Sequence, residues 1–154
     1  MDKIFFITNN FRETVKLGRD FAKTLKKGDV VCLYGELGSG KTTFTKGLAE
    51  GLGIEQRIIS PTFVFVREHK INLPAGKAGN HELGVKKLYH IDLYRIEKES
   101  DIHELGLEEI LSNKDNIVVI EWAEKMKNFL PAKRIDIMFS HEKNNARKIS
   151  FSSL

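Results

Sequence analysis

Val30-Val31-Cys32-Leu33-Tyr34, followed without a gap by Gly35-Glu36-Leu37-Gly38-Ser39-Gly40-Lys41-Thr42, decides the fold of this 154-residue chain. The first five residues are an uninterrupted apolar run of the kind shown by a strand buried on both faces of a parallel sheet. The residues after them fit the phosphate-binding loop pattern G-x-x-x-x-G-K-[ST] at every fixed position. Beyond the loop a helical pattern begins, with Phe44, Leu48 and Leu52 on one face. Glycines let successive backbone N–H groups turn inward at phosphate oxygens, and a helix starting near Lys41 adds the positive end of its dipole. On this reading Gly35, Glu36, Leu37, Gly38, Ser39, Gly40, Lys41, Thr42 and Thr43 cradle a nucleotide. Lys41 reaches the β- and γ-phosphates, and the Thr42 hydroxyl faces Mg²⁺, a hard cation that takes oxygen ligands.

The length suits a single domain over residues 1–154, with enough apolar content for a core that needs no metal or disulfide staple. A net charge of +4 and a pI near 9.1 arise from lysines scattered along the chain, a mild tilt towards acidic partners such as nucleotides or RNA. Cys32 is the only cysteine and lies inside the apolar run, so it reads as a small core residue suited to a reducing compartment. With no secretory leader and no apolar run near the ~18 residues of a membrane span, the expectation is a soluble, cytoplasmic protein with no membrane partner.

Upstream of the loop, residues 3–7 read as a short strand, and Asn10 with Glu13 reads as a capping box opening a helix over about 11–26. Phe11, Val15, Gly18, Phe21, Ala22 and Leu25 recur on that helix's inward face. Downstream, Ser60-Pro61-Thr62 punctuates the chain before a strand at 63–67, and a second strand follows at 87–95. Between them, residues 72–86 hold Pro74, Gly76, Gly79 and Gly84 with no periodicity, which reads as a long hairpin connection. A short helix is expected at 101–111, a buried strand at 117–120, and a closing hairpin from 134–139 and 148–151. The sum is an α/β fold: a P-loop NTPase-type three-layer sandwich, its central sheet mostly parallel, with helices on both faces and antiparallel edge strands gathered towards one edge.

A nucleotide hydrolase also needs a carboxylate near the metal, at the carboxyl end of a buried strand beside the loop strand. Glu121 follows Ile117-Val118-Val119-Ile120 directly and fits, although aspartate is commoner in this role. Trp122, the only tryptophan, either covers the site or packs beneath it. Asp92 lies in the apolar run Leu88-Tyr89-His90-Ile91-Asp92-Leu93-Tyr94-Arg95, where an acidic residue is either exposed or put to use, and use is the favoured reading. Thr62 reads either as a γ-phosphate sensor of the switch-loop kind or as a turn residue capping a strand.

Several other activities find little support. Asn113-Lys114-Asp115-Asn116 approaches the guanine-reading N-K-x-D, but its aspartate comes one place early and the stretch precedes a strand. Small-metabolite kinases share the loop and the size and stand as the alternative function, yet they close an arginine-rich lid, whereas seven arginines are spread through this chain. None is obviously placed to meet charge on a γ-phosphate. His81-Glu82 and His103-Glu104 lack the second histidine of H-E-x-x-H.

Taken together, LYGELGSGKTTF at 33–44, SPTF at 60–63, HIDLYRI at 90–96, LGLEEIL at 105–111 and VIEWAE at 119–124 resemble the TsaE (YjeE-type) ATPase family of bacteria, in the family's order. The resemblance implies an ATPase that works in making threonylcarbamoyladenosine next to the anticodon of tRNA. It further implies that the chain transfers no threonylcarbamoyl group itself, meets tRNA indirectly, and binds the partners TsaB and TsaD, whose turnover ATP hydrolysis sustains. Carried over by position, Gly35 to Thr42 bind the ATP phosphates and Thr42 with Glu121 holds Mg²⁺. Thr62, Asp92 and Trp122 then serve as switch, as catalytic or metal-shell carboxylate, and as cover. Thr8 or Asn9, and Lys133, stand as adenine-side contacts. The 72–86 connection is longer than the family leads one to expect.

Overall fold

The computed structural model describes residues 3–59, 64–71 and 84–153. A seven-stranded sheet runs through it in the order β1-β7-β6-β2-β5-β4-β3. The strands are β1 (Ile4–Thr8), β2 (Val30–Tyr34), β3 (Val66–Lys70), β4 (Lys87–Asp92), β5 (Asn116–Glu121), β6 (Ile135–His141) and β7 (Arg147–Ser153). β6, β2, β5 and β4 are parallel to one another, so their carboxyl ends share one edge of the sheet. β3 adds antiparallel to β4 at one side, while β7 and then β1 add antiparallel beyond β6 at the other. Antiparallel edge strands are therefore present at both edges, not one, because the amino-terminal strand closes on the final hairpin.

Alternation along the buried strands sorts the core into two layers, as a period of two requires. Val31, Leu33, Ile117 and Val119 pack with Phe44, Leu48 and Ala22 beneath α1 (Phe11–Ala22) and α2 (Lys41–Gly51). Val30, Cys32, Val118 and Ile120 pack with Ile102, Leu107 and Met126 from α3 (Glu99–Glu104), α4 (Leu107–Ser112) and the 3₁₀ segment Ala123–Phe129. Helices thus cover both faces. Cys32 is fully buried and burial pushes its thiol up to about 12, so it is a core residue without nucleophilic character.

Several elements depart from the sequence reading: β3 is Val66–Lys70 where a strand at 63–67 was expected, and α1 ends at Ala22, short of 26. The single helix expected at 101–111 is two, broken at Gly106 in the left-handed region (φ 66°). β4 stops at Asp92 because the Asp92 carboxylate accepts the Tyr94 N–H (3.0 Å) and turns the chain, where the strand was expected to reach 95. Phe11 is 58% exposed and not on the inward face of α1. Of the long connection at 72–86, residues 72–83 lie outside those described, as do Ser60-Pro61-Thr62-Phe63 and hence the switch reading of Thr62. The N-K-x-D look-alike sits at the amino end of β5, away from the phosphate loop, where Asp115 pairs with Lys27 (2.7 Å) and Lys86 (3.3 Å).

Candidate functional site

The loop Gly35–Gly40 leaves the carboxyl end of β2 and enters α2, and a cleft of about 450 Å³ opens above it along the carboxyl edge of the sheet. Gly35 takes φ 145°, and a Cβ there would lie 2.6 Å from the Phe139 carbonyl oxygen, so only glycine lets the loop pass over β6. Gly40 opens α2 in the left-handed region (φ 107°) without a side-chain cap, which leaves the helix's first N–H groups facing the cleft.

Lys41 is 4% exposed. Its ammonium donates to the carbonyls of Gly35 (2.5 Å) and Glu36 (2.9 Å) and to Ser39 Oγ (3.4 Å), and lies 4.2 Å from the centre of the Trp122 ring. Burial holds its pKa below the ordinary lysine value, opposed by the nearby charges of Glu121, Glu124 and Asp92. Thr42, in the first turn of α2, donates its hydroxyl to Glu121 Oε1 at 2.7 Å. Glu121, the last residue of β5, is 1% exposed, and its other oxygen meets His90 Nε2. Asp92 stands directly across from Glu121 in the β4–β5 register and lines the cleft. Trp122 follows with φ 58°, a strained backbone for a bulky residue. Its ring lies on Lys41 and packs against Tyr94 (5.1 Å between centroids), so it lines the cleft and is not beneath it.

The opposite end of the cleft belongs to β1 and β7. Asn9, Asn10, Phe11 and Thr14 line it together with Asn145 and Arg147. Asn10 caps α1 by accepting the Glu13 N–H (2.9 Å), and Glu13 in turn accepts the Asn9 N–H (2.7 Å), which fixes the loop that carries Phe11 over the cleft. Thr8 is buried and bonds Thr14 Oγ1 (2.8 Å), supporting this wall from behind. Arg147 donates to the carbonyls of Gly38 (3.2 Å) and Asn145 (2.9 Å), tying β7 to the phosphate loop. Lys133 precedes β6, at the amino ends of the parallel strands, and is not part of the cleft.

The expected residues Gly38, Ser39, Gly40, Lys41, Thr42, Thr43, Leu37, Asp92, Glu121 and Trp122 are thus brought together, with Asn9 at the far end. His90, Phe11, Thr14, Tyr94, Asn145 and Arg147 were not picked out from the sequence. His90 carried a usable signal, since H-x-D in a strand places both side chains on one face. Asn144-Asn145 carried another, as consecutive left-handed residues (φ 58° and 60°) of a hairpin connection. Arg147 carried none, because only the sheet order brings the last strand to the loop.

Fold and cleft define a P-loop nucleotide-binding protein of the α/β class, with its ligand edge at the carboxyl ends of a parallel sheet. The family model "Threonylcarbamoyl adenosine biosynthesis protein TsaE" matches residues 8–149, and the chain belongs to that family. It is 38% identical over its whole length to the tRNA threonylcarbamoyladenosine biosynthesis protein TsaE of Bacillus subtilis, covering 88% of that protein. It is 37% identical to the protein of that name from Rickettsia conorii, over 92% of this chain and 74% of that one. The crystal structure of Bacillus subtilis YdiB superposes with a TM-score of 0.76 at 34% identity, over 99% of this chain and 86% of that one.

Proposed function

We propose that this chain is the ATP-binding and ATP-hydrolysing member of the machinery that places threonylcarbamoyl on the adenosine next to the anticodon of tRNA, acting in the cytoplasm with TsaB and TsaD and meeting tRNA through them. The observation that supports it best is the join between loop and sheet: Lys41 and Thr42 on α2 meet Glu121 on β5 through the 2.7 Å Thr42–Glu121 hydrogen bond. Its relatives' names carry the tRNA side of the reading and favour it over a metabolite kinase.

The oxygen-rich set of Thr42, Glu121 and Asp92 suits Mg²⁺, which relies on a few hard ligands and on substrate phosphates. Bound there, Mg²⁺ supplies neutralising charge at the β- and γ-phosphates. Thr42, by donating a hydrogen bond to Glu121, would leave an oxygen lone pair free for the metal. The Lys41 ammonium exchanges loop carbonyls for phosphate oxygens, and the N–H groups of the loop and of α2 hold the phosphates in line. Asp92, facing the cleft beside Glu121, would accept a proton from the attacking water or help to hold the metal. Phe11 and Arg147, at the end of the cleft opposite Glu121, would take the nucleoside end of the ligand.

No arginine was expected in the site from sequence, yet Arg147 lines the cleft. It is anchored to Gly38 and Asn145 on the β7 side, across the loop from Glu121. The test is genetic and chemical together. A strain lacking this protein loses threonylcarbamoyladenosine from its tRNA, this chain restores it and Lys41→Ala does not, and the purified chain releases phosphate from ATP only with Mg²⁺ present. Restoration by Lys41→Ala, or no ATP turnover with partners supplied, overturns the reading.

A further inference from the structure

The H-x-D of β4 divides into two tasks. Asp92 opens onto the cleft, whereas His90, one step back on the same face, has no exposed surface at all. It stands across from Val119 and reaches forward along β5 to Glu121 Oε2. An ionised carboxylate only accepts, so the ring nitrogen facing it carries the proton. The other ring nitrogen, Nδ1, is buried with no hydrogen-bond partner among the described residues, which suits an unprotonated nitrogen and would strand a protonated one. The geometry therefore places an N–H on Nε2, facing Glu121.

Glu121 needs such a fastener. It has one more rotatable bond than the aspartate usual at this position, and each free torsion lets the carboxylate swing off the Thr42 hydroxyl. With His90 on Oε2, the remaining oxygen is left aimed at Thr42 Oγ1, 2.7 Å away. We infer that His90 is a positioning residue: its Nε2–H locks Glu121 in the rotamer that accepts the Thr42 hydrogen bond, and so sets how well the Thr42–Glu121 pair receives a divalent cation. The inference rests on the Mg²⁺–nucleotide reading of the cleft. Its substance lies in the contact of an outer group with the ligand-bearing one, a kind of contact whose loss weakens metal binding by about 10–100-fold.

The test compares the full-length chain with His90→Gln, whose amide N–H reaches about as far as the imidazole Nε2, and with His90→Leu, similar in bulk but without a donor. A non-hydrolysable ATP analogue is titrated against each, by Trp122 fluorescence, in EDTA and in Mg²⁺. Expected are equal affinities in EDTA, and a Mg²⁺-dependent gain that wild type and Gln share and Leu loses by about tenfold or more. A Leu variant with the full gain, or a Gln variant as poor as Leu, overturns the role of His90. A wild-type chain with no Mg²⁺-dependent gain overturns the reading beneath it instead. Ring-nitrogen NMR of the unliganded wild type decides the matter even where the variants fold poorly: a proton on Nε2 with bare Nδ1 supports the lock, and the reverse tautomer refutes it.

Discussion

A buried ammonium is costly unless its protons are satisfied, and Lys41 satisfies them with the loop's own oxygens and the Trp122 face. Removing the charge should therefore leave the fold standing while taking away the group proposed to grip phosphate. Lys41→Ala should weaken ATP-analogue binding on the order of 100-fold, the loss of one or two charge-assisted hydrogen bonds, with its unfolding free energy in urea within about 1 kcal/mol of wild type. Calorimetry and urea denaturation read the two quantities, and undiminished affinity would remove Lys41 from the site. Glu121→Gln separates binding from chemistry. An amide keeps the bulk but not the charge, so hydrolysis in Mg²⁺ should fall by about 10²–10³ while analogue affinity in EDTA stays within about threefold. Hydrolysis at the wild-type rate would exchange the roles of Glu121 and Asp92. At this scale the sequence disclosed residues held by a local pattern: the loop, and a carboxylate closing an apolar strand. It did not disclose Phe11, because position 11 keeps helical phase with Val15 while the capping loop swings it over the cleft, nor Arg147, because nothing local links residue 147 to Gly38.

Element by element, α1 and α2 approach each other through small residues, with Phe21 and Phe44 packed beside the contact (5.6 Å between ring centroids). A Cβ at Gly47 would lie 1.9 Å from the Val15 carbonyl oxygen, and one at Gly18 would lie 2.2 Å from that of Phe44, so each helix approaches the other's backbone through the other's glycine. That approach sets where α2, and with it Lys41 and Thr42, stands relative to β5. Gly47→Ala should force the helices apart and lower stability by about 1–3 kcal/mol or more, measured by urea denaturation. Analogue affinity should fall as well, since α2 carries half of the site. A variant as stable as wild type would mean that the helices slide freely over each other. The periodicity of α1 and the capping at Asn10 foretold that helix, though a glycine inside an apolar face reads as a gap until the facing backbone is known. The break at Gly106 was likewise hidden, because Leu105 and Leu107 keep apolar character on either side of a left-handed turn.

Over the whole molecule, the cleft is ringed by apolar groups that the fold itself does not cover. Leu37, Tyr94 and Met138 are exposed around the loop, and a second hollow of about 480 Å³ lies on its other side between Tyr34, Leu37, Trp122 and Met138. Trp122 lines both hollows, with one face on Lys41. On the proposed reading, a phosphate that draws Lys41 away from the ring would also change the surface offered outside, which puts Trp122 within reach of both nucleotide and partner. Among the described residues lining the cleft Arg147 is the only arginine, and it is tied to the β7 side, away from Glu121; an arginine that meets the γ-phosphate charge contributes roughly 10³–10⁵ in rate. The isolated chain should accordingly hydrolyse ATP slowly, and TsaB with TsaD should change either the rate or the nucleotide affinity by closing this edge and excluding water. Linkage makes the coupling reciprocal: if the ATP form binds the partners more tightly by some factor, the partners raise ATP affinity by the same factor. Partner binding measured with an ATP analogue, with ADP and with neither, in the wild type and in Trp122→Ala, is the check. The wild type should discriminate among the three states and the variant should lose most of that discrimination; equal affinity in every state, with brisk hydrolysis by the isolated chain, would show that the site works without partner gating.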